Sequence, residues 1–81
     1  MSAVTLYLAP GCHLCERAQA ELAPIVAELG VSLVEVDISG DLSLERTYRR
    51  LIPVVEVDGE RVSVYRVDEA ALRERLQRAA G

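Results

Sequence analysis

Apolar positions along the chain switch between alternation and a three-to-four spacing, and each switch carries its own punctuation. Val4-Thr5-Leu6-Tyr7-Leu8 is rich in β-formers and apolar on both sides of its alternation, as suits an interior strand covered on two faces. Pro10-Gly11 breaks it. From His13 a helical period takes over, with Leu14, Ala18, Leu22, Ile25 and Leu29 on one stripe and Glu16, Arg17, Gln19 and Glu28 off it. Pro24 interrupts that helix without shifting the phase of the stripe, which predicts a kinked helix rather than two. Gly30 supplies the stop.

Val31 to Asp37 reads as a second strand, and Asp41 as the cap of a short helix from Leu42 to Arg50 that turns Leu44, Tyr48 and Leu51 inward. Val54 to Val57 and Arg61 to Tyr65 then flank Asp58-Gly59, a dipeptide that favours the type I′ hairpin turn. Asp68-Glu69 places negative charge at the start of a last helix whose buried stripe is Leu72, Leu76 and Ala79. The predicted order is β-α-β-α-β-β-α: an α/β fold with a four-stranded mixed sheet and helices on both faces.

Size and charge narrow the functions open to such a chain. At 81 residues and 51% apolar it forms one domain, residues 1–81, whose folding buries roughly 60–65% of the unfolded surface. A net charge of −4, with the arginines scattered, excludes a nucleic-acid footprint. No apolar run approaches the roughly 20 residues of a membrane helix, and no basic segment precedes an apolar run as in a secretory leader. The expectation is a cytoplasmic monomer.

Both cysteines lie in Ala9-Pro10-Gly11-Cys12-His13-Leu14-Cys15, between the first strand and the first helix. In the cytosol such a pair is catalytic or metal-binding more often than structural. Residues three apart on a helix have Cβ atoms roughly 5–6 Å apart, and a disulfide wants about 3.5–4.5 Å. The first turn can therefore close a Cys12–Cys15 bridge, and reopen it, at small cost. Cys12 falls where unpaired N–H groups and the helix dipole favour an anion, and thiols so placed have pKa values of about 3.5–7.5. Cys12 is accordingly the expected attacking thiolate and Cys15, one turn deeper, the resolving thiol. His13 is read as a solvated first-turn side chain, the dipole sufficing to lower the Cys12 pKa. Ile52-Pro53 opens a strand, and from residue physics alone its peptide bond is expected to be trans, since only about 5–6% of X-Pro bonds are cis.

Tyr7-Leu8-Ala9-Pro10-Gly11-Cys12-His13-Leu14-Cys15 resembles the first strand and active-site loop of glutaredoxins and related thioredoxin-fold proteins. Ile52-Pro53-Val54 is similar to their cis-proline segment and Asp58-Gly59 to the hairpin turn after it. The resemblance spans nearly the whole chain and is strongest toward short bacterial glutaredoxin-like proteins with a Cys-His-Leu-Cys motif. It implies a thioredoxin/glutaredoxin-like fold and a thiol-disulfide oxidoreductase with Cys12 and Cys15 as catalytic pair. It also implies Gly11, His13, Ile52 and Pro53 as substrate-binding residues, and reverses the expectation for Pro53 to cis.

The implied partners are a disulfide-containing protein substrate and a reductase or glutathione as electron donor, with no tightly bound cofactor. Glutathione itself fits the residues poorly. Ala9 stands where glutathione-using members carry lysine, and Tyr65-Arg66 where they carry Gly-Gly, although Asp68 is retained and Arg49, Arg50 or Arg66 offer a charge. Two other readings use the same residues: a binding or carrier module that keeps the fold without turnover, and an iron–sulfur or other metal site shared between chains. A single Cys-x-x-Cys supplies only two of the four ligands of a structural zinc, so no metal site is expected within one chain.

Overall fold

The computed structural model describes residues 2–80, with side chains through Arg78. The elements follow the predicted order: β1 (Ala3–Leu8), α1 (His13–Leu29), β2 (Ser32–Asp37), α2 (Leu42–Tyr48), β3 (Val54–Val57), β4 (Glu60–Val64) and α3 (Glu69–Ala80). The sheet order is β2-β1-β3-β4. β1 pairs parallel with β2 and antiparallel with β3, so the sheet is mixed and β1, the most apolar strand start, is interior. α1 is the crossover that a parallel pair requires.

Alternation along the strands divides the side chains between two faces. Val4, Leu6, Val55 and Val57 point to one face, each fully buried, and pack against Ala18, Leu22 and Ile25 of α1 and Leu72 and Leu76 of α3. Each such large side chain contributes about 1.5–3 kcal/mol by leaving water. Tyr7, on the opposite face, stacks on Tyr48 at the end of α2, with ring centroids 4.0 Å apart. Helices thus lie on both faces, but unequally. The seven residues of α2 bury none of their side chains fully, and Leu44, Tyr48 and Leu51 are only half-buried. Ala79, expected on the buried stripe of α3, has its side chain outside the described residues.

One stripe position differs from expectation. Cys15 is buried in α1, whereas Leu14 is 49% exposed. At 100° per residue, Leu14 and Cys15 lie about 50° on either side of the centre defined by Ala18, Leu22, Ile25 and Leu29. Periodicity cannot choose between them; the tertiary structure buries Cys15 and leaves Leu14 exposed. α1 continues as one helix through Pro24.

The ends of the elements are held by local chemistry. Asp41 caps α2 by accepting the Leu44 N–H at 3.1 Å. Asp58 and Gly59 both have positive φ, 51° and 85°, as the type I′ turn demands. α1 ends on Gly30 at φ 66°, where the Gly30 and Val31 N–H groups both donate to the Val26 carbonyl. A Cβ on Gly30 would meet nothing within 4 Å, so substitution there costs backbone strain alone. Gly30→Ala is expected to destabilise the fold by about 1 kcal/mol, measured as a lower urea midpoint with an unchanged slope.

Candidate active site

The redox-motif loop is built by the end of one element and the start of the next. β1 stops at Leu8, Ala9 is buried, and Gly11 turns the chain at φ 77° so that Cys12 can serve as the N-cap of α1. Cys12 has extended backbone angles, and its sulfur accepts the Cys15 N–H at 3.1 Å, the place a serine or aspartate oxygen takes in an ordinary cap. Its carbonyl accepts the Glu16 N–H at 3.1 Å and starts the helical ladder.

Cys12 and Cys15 form a disulfide with Cα atoms 5.2 Å apart. Cys12 is half-buried, whereas Cys15 is 2% exposed. Cys12 thus keeps some exposure at a helix N-terminus, while Cys15 is enclosed behind it. On reduction, the N–H and the dipole that now face a neutral sulfur would face a thiolate, the species they stabilise most.

The other residues singled out by the sequence fall into two groups. Gly11 is exposed beside Cys12, and the Ile52–Pro53 peptide is cis, as the family resemblance implies and against the statistical expectation. The register Tyr7↔Val54 sets Pro53 level with Leu8, so the proline segment and the cysteine loop occupy the same end of the sheet. Ile52 is half-buried and Pro53 buried. His13 is different: its side chain is 97% exposed and faces only Glu16, 3.6 Å away, as a solvated residue would. Among the described residues no group of three or more His, Cys, Asp or Glu side chains is placed to hold a metal ion.

Tyr65 is a contact that sequence reasoning placed at the end of a strand. It adopts φ 71°, a left-handed conformation that costs a bulky residue about 1–3 kcal/mol. Its N–H offsets this by donating to the carbonyls of Pro53, at 2.9 Å, and Leu51, at 3.1 Å. The side chain is thereby swung outward, 52% exposed, and with Leu14, Arg17, Glu21, Arg66 and Val67 it lines a groove of about 420 Å³. Leu14 carries this groove up to the cysteine loop. Its exposure on an apolar-spaced position was the missing signal, and sequence does not record exposure. Asp68, retained from the family pattern, uses one oxygen to cap α3 through the Ala71 N–H at 3.1 Å.

Across the sheet the Tyr48 hydroxyl donates to Glu56 at 3.1 Å, and Glu56 is buried. Burial, the neighbouring phenol of Tyr7 and the Glu56 carboxylate all push the Tyr48 phenol well above its usual 10. Because the folded state holds this proton more tightly than the unfolded chain, its contribution to stability is complete below pH 10 and is lost as pH rises beyond it. Tyr48→Phe should flatten the loss of stability above pH 10, read as urea midpoints across that range.

This geometry recurs in known proteins. A model of the glutaredoxin-like domain (DUF836) matches residues 3–77. An uncharacterized protein of Mycobacterium tuberculosis is 32% identical, the match covering 94% of this chain and 84% of that protein. An X-ray structure of a structural genomics target from X. campestris superposes with a TM-score of 0.73 at 32% identity, covering 91% of this chain and 95% of the other. Fasciola hepatica thioredoxin shares the fold, with a TM-score of 0.68 at 23% identity over 95% of this chain and 79% of its own. A thioredoxin-like sheet, a cysteine pair at the first helix and a family match over nearly the full length agree: the chain belongs to the glutaredoxin-like domain (DUF836) family.

Proposed function

We propose that this protein is a thiol-disulfide oxidoreductase acting on protein disulfides, with Cys12 as nucleophile and Cys15 as resolving thiol. The observation that carries the reading is the position of the Cys12 sulfur, at the N-cap of α1, half-buried and accepting the Cys15 N–H. A thiolate is favoured there and has access to a substrate.

In the reduced protein the Cys12 thiolate attacks one sulfur of a substrate disulfide. That S–S bond breaks, the leaving thiolate takes a proton, and a mixed disulfide to Cys12 forms. Cys15 then loses its proton and attacks the Cys12 sulfur, releasing the second substrate thiolate, which is protonated in turn. The substrate gains two electrons and two protons, and the protein ends with the Cys12–Cys15 disulfide. The dithiol of a reductase, or two glutathione thiols attacking in succession and leaving as oxidised glutathione, returns the two electrons and restores the reduced pair. Gly11 and the Ile52–Pro53 segment would form the wall against which the substrate strand lies.

The test is a redox titration. The protein is equilibrated in defined ratios of reduced to oxidised dithiothreitol or glutathione, quenched with an alkylating reagent and weighed. The expected result is one reversible two-electron step in which both cysteines change together. A midpoint near −270 mV would mark a reductant, and one near about −150 mV an oxidant or isomerase. Failure to form the intramolecular disulfide at any poise would overturn the reading and leave a binding module on the same fold.

A further inference from the structure

The groove beside the cysteine loop combines two features that the exchange chemistry itself does not need. Its rims are apolar and open: Leu14 is 49% and Tyr65 52% exposed, and one residue alone separates Leu14 from Cys12. Exposed apolar rims of this kind, next to polar groups, mark contact surfaces. Its charge is also unbalanced. Among the described residues, four of the nine arginines, Arg49, Arg73, Arg75 and Arg78, are paired with a glutamate, and of the five that are not, Arg46, Arg50 and Arg61 are exposed outside the groove. Arg17 and Arg66, both exposed and both in the groove, have no carboxylate within 4.0 Å among the described residues. Glu21 is the groove's one acidic residue. In a chain of net charge −4, two guanidinium groups without a carboxylate partner thus line one groove, whose wall also includes Leu14, two residues from Cys12.

Resting on the exchange reading above, we propose that this groove selects the substrate: Leu14, Arg17, Tyr65 and Arg66 dock a polypeptide segment in which an acidic residue and an apolar residue flank the disulfide. The guanidinium forks match a carboxylate in a way that ammonium groups do not. The apolar side chain covers Leu14 and Tyr65, releasing the water they now hold at the surface. Glutathione supplies carboxylates but no apolar side chain to cover those two rims, so a protein segment fits the groove better. Tyr65 is aimed into the groove by backbone bonds to Leu51 and Pro53, which ties the selecting wall to the proline segment of the exchange site.

The test uses short disulfide peptides that differ only in the two residues beside the cysteine: Glu-Leu, Gln-Leu and Lys-Leu. At low ionic strength the wild-type protein should reduce the Glu-Leu peptide with a kcat/KM roughly tenfold above the Lys-Leu peptide, the gap narrowing to about twofold at 0.5 M salt. The double variant Arg17→Glu, Arg66→Glu should reverse that order while still reducing the neutral Gln-Leu peptide. Tyr65→Gly should raise KM for all three several-fold without changing their order.

A second arm needs no exchange. A Glu-Leu peptide carrying serine in place of cysteine should bind the oxidised wild-type protein in a salt-sensitive manner, shifting the NMR signals of Leu14 and Tyr65, and should not bind the double variant. Equal rates for the acidic and basic peptides, a preference that survives charge reversal, or oxidised glutathione reduced faster than the Glu-Leu peptide through the same two arginines would each overturn the proposal. If no peptide is reduced at all, the exchange reading fails, and the serine peptide alone decides whether the groove binds an acidic segment.

Discussion

Cys12→Ser is expected to reduce disulfide exchange by at least ~10³-fold, and Cys15→Ser to stall it at the mixed disulfide. The asymmetry follows from position. Cys12 is half-buried at the N-cap of α1, whereas Cys15 is 2% exposed and one turn deeper. Serine at the cap still accepts the Cys15 N–H, so helix and fold survive, but a hydroxyl is not ionised near neutral pH and the nucleophile is gone. With Cys15 replaced, attack still occurs and the intermediate has no internal thiol to resolve it. Mass spectrometry after mixing with a peptide disulfide reads both outcomes: an adduct of the half-peptide on Cys15→Ser, and none on Cys12→Ser. An adduct on Cys12→Ser would exchange the two roles.

Leu22→Ala should be the most damaging of single core truncations in α1. Leu22 is fully buried and packs in the cluster that joins α1 to the sheet and α3. Removing three carbons from such a site costs about 2–5 kcal/mol, the transfer term plus the cavity left behind. A domain of 81 residues has about 4–12 kcal/mol in total, at about 0.05–0.15 kcal/mol per residue. Urea unfolding should show a large part of the stability lost, and the Tm should fall by roughly 10 °C or more. Leu14→Ala, eight residues earlier and on a position that the same periodicity assigns to the core, should change stability by no more than about 0.5 kcal/mol, because Leu14 already meets water. The pair of measurements separates the true stripe from the apparent one.

Most of the architecture was legible because local signals agreed with one another. The strand of Val4 to Leu8, the Gly30 stop, the Asp41 cap and the Asp58-Gly59 turn each rest on interactions within a few residues, and all are present. The placement of Cys12 at a helix N-terminus is of the same kind, since Pro10-Gly11 ends a strand and the helical period starts immediately after. The cis state of Ile52–Pro53 is not. Statistics for the dipeptide point to trans, and only likeness to a family pointed to cis.

What stayed hidden depends on contacts between distant segments. The period of α1 admits Leu14 and Cys15 equally, and tertiary packing buried Cys15 and left Leu14 on the rim of a groove. Tyr65 follows an alternating strand, so nothing local announces its left-handed turn; the carbonyls of Leu51 and Pro53, more than ten residues upstream, hold it there. Nothing local marks Glu56 for burial; β3 is interior and α2 brings the Tyr48 hydroxyl to it, and it is buried. Arg17 and Arg66 are 49 positions apart in a chain whose arginines look evenly scattered, and the fold puts them into one groove. Local chemistry set the elements and the reactive pair. The surroundings of that pair were set by which elements the sheet order and the core brought side by side.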